Sequence, residues 1–522
     1  MGTYVNPGAA KFREALRSEI YIDKSNLIVY TNSVLGTLQK YVCVSRPRRF
    51  GKSMAADMLS AYYDRTADTR NEFGNLKVGK AGSFDAYINR FDVIKLNMQE
   101  FLSRTDNIDR LLLRLRALVL RELLALYPDV DYYDREDFFE CFNDIFNAGQ
   151  HRFVVIIDEW DCIFREYHHD SAAQRKYLDF LRDWLKDKAY IALAYMTGIL
   201  PIKKYGTHSA LNMFTEYSME NPGTLSDAAG FSDDEVRQLC GRYGMDYGEC
   251  QYWYDGYFFQ SCGHVYNPNS IVRAMLSRTF DDYWNQTETY EALKIYIDMN
   301  YDGLRDDILR LMAGDRVRIS TKSFQNDMTS FAGADDVLTL LIHLGYLGYD
   351  FDTREVFVPN HEIMLEFVTA TTAESPWTEV MNAVTRSAEL LRATWRMDSQ
   401  AVAELVETAH LETSHLQYND ENALSYTISL AYYSARDYYT VVRELPTGKG
   451  FADLAFIPRK RYADKPAMLV ELKWDKSADS ALKQIADKRY PKGLEEYRDN
   501  LLLVGINYDK AARKHECVIV RA

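Results

Sequence analysis

Proline is scarce in this sequence, 12 residues in a chain of 522, which argues against long flexible linkers. Cysteine is scarce too, and odd in number, at positions 43, 141, 162, 240, 250, 262 and 517. A scattered, odd set argues against a disulfide framework and for a reducing cytoplasm. A chain of this length buries several cores without such staples. Cys250, Cys262 and His264 fall close together, yet no CxxC pair supports them, so no structural metal is expected there. Long apolar runs are missing. Tyr190–Ile202 reaches 13 residues, against the ~20 that a membrane-spanning helix needs. The opening stretch MGTYVNPGAAKFREAL has no apolar core of secretory type, and Asn6 breaks the myristoylation pattern. No internal repeat, low-complexity tract or long charge block is present.

What is there is an ordinary globular composition, 47% hydrophobic and 26% charged, at a length of about three domains. The first part, residues 1–225, alternates short apolar runs with amphipathic helical stretches. Tyr41–Val44, Val93–Asn97, Phe153–Ile157 and Ile191–Met196 have the short, wholly apolar character of buried parallel strands. Between them, Ile108–Leu126 repeats leucine with helical spacing. The alternation predicts a parallel sheet with helices on both faces. Residues 226–390 read as mainly helical. Ser232 and Glu235 form a capping box at a helix start. Asp336–Glu355 followed by Val356–Asn360 is a helix running into a small hairpin; a winged-helix unit and a plain helical lid fit it equally. Residues 391–522 change again: a helix at Glu421–Ala435, strands at Tyr439–Arg443, Ala452–Ile457, Ala467–Lys473 and Leu501–Ile506, and a helix at Ser480–Arg489. The fold class expected is α/β throughout.

Arg46-Pro47-Arg48-Arg49-Phe50-Gly51-Lys52-Ser53 lies between the first strand and a helical stretch, Met54–Tyr63. It matches the phosphate-cradling pattern G-x-x-x-x-G-K-[ST] except at Arg46, which holds the first glycine position. Helix N-terminal N–H groups would face phosphates there, Lys52 would neutralise the β- and γ-phosphates, and Ser53 would ligate Mg²⁺. Phe153–Ile157 ends in Asp158-Glu159, five apolar residues followed by two acids. Asp158 would share the Mg²⁺, and Glu159 would orient or activate the attacking water. Thr197, at the end of the fourth strand, has the position of a γ-phosphate sensor; a simple turn residue is the competing reading. ATP and Mg²⁺ are the expected cofactors.

A second constellation sits near the C-terminus. Gly448-Lys449-Gly450-Phe451-Ala452-Asp453 is followed, 18 residues after Asp453, by Glu471-Leu472-Lys473. Strand alternation sends Glu471 and Lys473 to one face, where Asp453 and Glu471 can share Mg²⁺, a hard ion that prefers oxygen ligands. Lys473 would position the attacking water or offset charge on the phosphorus centre. Gln484 and Lys488 share a helix face, Tyr490 closes that run, and Glu421 could assist the metal. A solvated strand edge would explain a single E-x-K, but not the whole set.

Taken together, the motifs resemble a bacterial family that joins an AAA-ATPase-like domain to a C-terminal PD-(D/E)XK nuclease domain. Tyr21-Ile22-Asp23-Lys24-Ser25 looks like that family's YVDKT, the loop like its RPRRFGKS, and Val154–Asp161 like its DEYD segment, with Trp160 for Tyr. The resemblance makes Arg46 usual rather than defective. Trp253-Tyr254-Asp255-Gly256-Tyr257 and Val265–Ser270 resemble its WYDGY and YNPWS signatures, with Asn269 for Trp; from the residues alone the first is a core-packing aromatic cluster. Phe451 and Ala452 depart from the family's GxGRxD. The resemblance implies an ATPase-coupled enzyme acting on nucleic acid, with DNA ranked ahead of RNA, and leaves a homo-oligomer open.

Charge supports the division. The net −14, read as an average, argues against a nucleic-acid coat. Residues 441–522 carry 17 Lys and Arg against 12 Asp and Glu, and the remainder 45 against 64. The basic end, with Arg459-Lys460-Arg461 and Lys488-Arg489, supplies a phosphate footprint, though a solvated face would look the same. The leading expectation is an ATPase controlling a nuclease. The alternatives are a nucleotide-dependent switch whose nuclease fold only grips nucleic acid, and a scaffold that holds ATP without hydrolysing it.

Overall fold

The computed structural model describes all residues except 1, 168, 203–210, 285–289, 300, 302, 327, 329–330, 373–377, 413–420, 448–449, 479, 481–496 and 498. Its contacts divide into two units, Met1–Thr289 with Arg318–Met364, and Tyr290–Val317 with Leu365–Ala522.

The first unit is built on β1 (Tyr41–Ser45), β2 (Asp92–Asn97), β3 (Phe153–Asp158), β4 (Ile191–Gly198) and β5 (Thr215–Tyr217). All pair in parallel, in the order β2-β3-β4-β1-β5. The four expected strands are present within one or two residues of their expected ends. Each of β1, β3 and β4 is buried along its whole length, as the apolar runs required. The helix Lys52–Tyr63 follows β1, and the helix Ile108–Leu126 covers the expected leucine repeat. Val42, Val44, Val154, Ile156, Leu193 and Tyr195 join Ala56, Leu59 and Tyr63 of the helix in one core.

Beyond the parallel sheet, the unit adds β6 (Phe231–Ser232), β7 (Tyr257–Phe259) and β8 (Gly263–Tyr266), an antiparallel sheet ordered β6-β8-β7. The sequence pattern predicts a mainly helical region and marks none of these three strands. Strands of two to four residues are too short to show a period, and Trp253–Tyr257 straddles a boundary, ending the helix Tyr247–Tyr254 and starting β7. After a two-residue strand, β9 (Val317–Arg318), the helix Ala334–Leu344 stops at Gly345, whose φ of +91° glycine adopts without strain. The expected hairpin follows as β10 (Gly348–Asp350) and β11 (Glu355–Phe357).

In the second unit the helix Glu421–Ala431 ends earlier than expected and gives way to a 3₁₀ turn, Tyr433–Asp437. The strands β12 (Tyr439–Thr447), β13 (Gly450–Pro458), β14 (Ala467–Trp474), β15 (Leu501–Asp509) and β16 (Lys514–Arg521) form a mixed sheet in chain order, with only β14 and β15 parallel. β16 escaped the sequence reading because Lys514–Glu516 opens it with polar residues. One face of the sheet packs Leu454, Phe456, Val470, Leu472 and Val504 against Val402, Val406, Leu424 and Ile428 of the helices.

The capping box is present as expected. Glu235 N–H donates to Ser232 Oγ, Ser232 N–H donates to Glu235 Oε2 at 2.8 Å, and Lys24 Nζ reaches the same carboxylate at 2.7 Å. Ser232→Ala should therefore cost about 1 kcal/mol, and Glu235→Ala more, because it also releases Lys24. Urea unfolding followed by tryptophan fluorescence ranks the two; equal losses would contradict the shared role of Glu235.

Candidate functional sites

The loop from Arg46 to Gly51 turns the chain from β1 into the helix Lys52–Tyr63. Arg49 and Gly51 take φ of +65° and +87°, and Gly51 caps the helix without a side-chain bond. The first-turn N–H groups of that helix lack intrahelical partners, which suits an anion. Lys52 is 5% exposed, and its Nζ donates to the Pro47 carbonyl at 2.9 Å. Burial lowers its pKa, against the opposing pull of Glu159, Asp161 and Asp158.

β3 brings the acids. Asp158 is buried beside Ser53, whose hydroxyl favours its carboxylate form, and accepts from Asn97 Nδ2 at 3.4 Å. Burial raises the Asp158 pKa, while Ser53, Lys52 and Lys95 favour the carboxylate. Glu159 has φ of +53°, and its carboxylate accepts from Arg165 Nη2 at 2.5 Å. Arg165 also pairs with Asp161 at 3.3 Å. Asp161 in turn accepts from the Ile199 and Leu200 amides at 3.0 and 2.8 Å, joining the ends of β3 and β4.

A cavity of about 580 Å³ opens above this group. Arg48, Arg49, Phe50, Gly51, Lys52, Ser53 and Glu159 line it, and Asp158 stands behind Ser53. Its remaining walls come from Ile20–Ile22, Lys24, Ala228–Phe231 and Pro268, Asn269 and Val272. The sequence motifs did not mark these walls as a site. They are mostly apolar or backbone and carry no spacing signal, although YIDKS and YNPNS fall among them.

Three expected site residues lie elsewhere. Arg46 is fully buried, and its guanidinium donates to the Ser45, Tyr217 and Leu225 carbonyls at 2.8 to 2.9 Å. Burial pulls its pKa down to about 10. Pro47 lies outside the lining, offering its carbonyl to Lys52. Thr197 is buried, its hydroxyl donating to the Val44 carbonyl at 3.0 Å.

In the second unit, β13 and β14 pair Leu454 with Val470, and that register continued sets Asp453 opposite Glu471. Asp453 Oδ2 accepts from the Leu472 amide at 2.6 Å. Glu471 and Lys473 share a face as alternation required. Lys473 Nζ lies 3.0 Å from Glu471 Oε1 and 2.8 Å from the Leu472 carbonyl. The side chains are 1% and 6% exposed. Two carboxylates and a strand carbonyl in one place are hard oxygen donors, which fits a small divalent cation. Among the described residues, no group of three or more His, Cys, Asp or Glu is arranged to hold a metal. Glu421 opens the helix Glu421–Ala431, with its side chain outside the described residues. Gln484, Lys488 and Tyr490 also lie outside them, with Arg489 and most of the expected helix Ser480–Arg489. Lys460 and Arg461 are exposed.

Trp474, next to Lys473, packs against Tyr508 with ring centroids 4.8 Å apart and the rings tilted by 43°, and Tyr508 meets His410 and His515 at 4.8 and 4.9 Å. Burial pushes the two imidazoles down to about 4 and about 3, with His410 adding to the effect on His515.

The chain matches the family model described as predicted AAA-ATPase over residues 8–207 and the PD-(D/E)XK nuclease superfamily over residues 420–517. It is 26% identical over 287 residues to an uncharacterized protein in the vnfD 5′ region of Azotobacter chroococcum, covering 54% of this chain and 52% of that protein. The match thus spans about half the length of that curated relative. Among solved structures, a Walker-type ATPase of Pyrococcus abyssi aligns at 14% identity and TM-score 0.35, over 66% of this chain and 94% of that one. The ORC2 protein of Aeropyrum pernix aligns at 11% identity and TM-score 0.23, over 68% and 98%. Among the described residues, no helix is long and apolar enough to cross a membrane.

The imidazoles set a pH dependence. Their folded pKa values lie below the unfolded value of about 6.5, so protonation favours the unfolded chain. Their full contribution is present above about pH 6.5 and is lost as pH falls toward about 4. The urea midpoint of the C-terminal unit should drop between pH 7 and pH 5, and His515→Phe should blunt the drop. An equal drop in the variant would show that other groups set the acid limit.

Proposed function

We propose that this chain, an AAA-ATPase-like domain joined to a PD-(D/E)XK nuclease superfamily domain, hydrolyses ATP and uses its nucleotide state to control a phosphodiesterase acting on nucleic acid. Its parts are taken as residues 1–225, 226–390 and 391–522. The observation that carries the reading is the cavity lined by the Arg48–Ser53 backbone, Lys52 and Glu159, with Asp158 behind Ser53. It combines what phosphoryl transfer needs: N–H groups and cations for phosphate charge, and a carboxylate near an attacking water.

In this reading the apolar wall of Ile20, Ile22, Phe231 and Val272 takes the base. Lys52, Arg48 and Arg49 hold the phosphates. Ser53 and Asp158 would hold Mg²⁺, and Glu159, on leaving Arg165, accepts a proton from the attacking water. In the second unit Asp453 and Glu471 would hold Mg²⁺, with Glu421 and Gln484 as further candidates. Lys473 keeps positive charge beside the scissile phosphate. Bound Mg²⁺ supplies charge neutralisation and a water acidic enough to ionise near neutral pH. The basic C-terminal end carries the nucleic acid, DNA ahead of RNA. The seven free cysteines suit a cytoplasmic protein, and a homo-oligomer would let a neighbouring copy complete the nucleotide site.

A second reading, a nucleotide-dependent switch with an inactive nuclease fold, draws on the burial of Glu471 and Lys473 and their mutual pairing. Incubation of the full chain with single- and double-stranded DNA and RNA, in Mg²⁺ with and without ATP, separates the two. Cleavage is expected, lost about 100-fold or more in Glu471→Ala with ATP turnover intact. Binding of labelled DNA without product at any concentration would favour the switch.

Steady ATP turnover is expected in the wild-type chain and should vanish in Lys52→Ala. Turnover that survives this change would sink the nucleotide assignment.

A further inference from the structure

The Trp253–Tyr257 run has no part in the proposed chemistry, yet its last residue points at the nucleotide loop. β7 begins there, and its alternation separates the faces: Tyr257 and Phe259 are buried, while Phe258 between them is 47% exposed. The Tyr257 ring meets Phe50 of the loop edge-on, at 5.4 Å and 79°. Phe259 lies under the Arg46 guanidinium at 5.2 Å. The Tyr257 hydroxyl donates to the Gly345 carbonyl at 2.5 Å, and Gly345 is where Pro47 rests: a Cβ placed on it would come within 2.8 Å of Pro47 Cβ. The Phe50 carbonyl accepts from the Gly230 amide at 2.9 Å.

Arg46 and Pro47 are therefore held outside the cavity, Phe50 is held by Tyr257 and Gly230 while it lines the cavity, and Arg48, Arg49 and Gly51 line it beside Phe50. A loop without a leading glycine still has to hold its N–H groups and Lys52 in register for phosphate. A loop that is ordered before binding loses less entropy when ligand arrives.

We propose that Tyr257 and Phe259 are positioning residues of the nucleotide loop, holding it in its phosphate-binding shape through Phe50 and Arg46. The inference rests on the reading of that loop as an ATP site. Aromatic and cation–π contacts of this kind supply the hold. The hydroxyl contact to Gly345 aligns the ring but is the smaller part, so phenylalanine should substitute for tyrosine.

The test titrates the full chain with a fluorescent N-methylanthraniloyl ATP in Mg²⁺ and measures KM and kcat for ATP. Tyr257→Phe should bind within about twofold of wild type, and Tyr257→Ala about tenfold more weakly. In Tyr257→Ala, KM should rise more than kcat falls, with nucleotide-free thermal unfolding still cooperative. Phe259→Leu, which loosens the Arg46 side of the loop without touching Tyr257, and Gly345→Ala, which displaces Pro47 and also disturbs the carbonyl that the Tyr257 hydroxyl reaches, should also weaken binding. They decide the matter if Tyr257→Ala does not fold. Wild-type binding in folded Tyr257→Ala, or in both other variants, would overturn the inference alone. So would a fall in kcat with KM and affinity unchanged. A wild-type chain that binds no nucleotide would overturn the ATP reading, and this inference with it.

Discussion

A single buried ammonium organises the end of the first unit that carries the Arg46–Gly51 loop. Taking a lysine out of water is costly unless opposite charge surrounds it, and the depressed pKa of Lys52 records that cost. Glu159, Asp161 and Asp158 offset it. Each of these acids needs its own support. Arg165 holds Glu159, the amides of Ile199 and Leu200 hold Asp161, and Ser53 and Asn97 hold Asp158. The network reaches from β1 through β3 to β4, so the sheet order is part of the site. With β4 between β1 and β3, Asp161 can bind the chain leaving β4 while still opposing Lys52.

The second unit uses the same physics on a smaller scale. Lys473 and Glu471 neutralise each other on one strand face, and Asp453 is tied to the intervening backbone amide. Both sites thus have a lysine whose present partners are groups of the protein itself, the Pro47 carbonyl for Lys52 and the Glu471 carboxylate for Lys473. On the proposed reading, an incoming phosphate would have to compete with those partners.

Much of this was legible in the sequence. β1, β3 and β4 are continuous apolar runs, and burial on both faces leaves little else for such runs to become. Glu471 and Lys473 could be placed together because strand alternation is strict. Ser232 and Glu235 could be paired because the capping box has a fixed spacing. The parts that escaped have physical reasons. β5 to β8 are too short for a period. Ile20–Ile22, Val272 and their neighbours line a cavity through shape, which no residue pattern announces. Thr197 was correctly set at a strand end, but the direction of its hydroxyl depends on β1, 153 positions away.

Arg46 stands where the common phosphate-loop pattern has glycine, and its side chain runs into the interior to satisfy the carbonyls of Ser45, Tyr217 and Leu225. Tyr217 ends β5, the edge strand beside β1, so the residue that opens the loop also fastens the sheet's margin. Changing it back to glycine would bring the loop closer to the familiar consensus and take a donor from three interior carbonyls, of which Leu225 keeps the Ala228 amide at 3.3 Å, at about 1 to 3 kcal/mol for each one left unsatisfied. This chain has committed its architecture to the exception, and conformity at that position would unfasten the fold it was meant to improve.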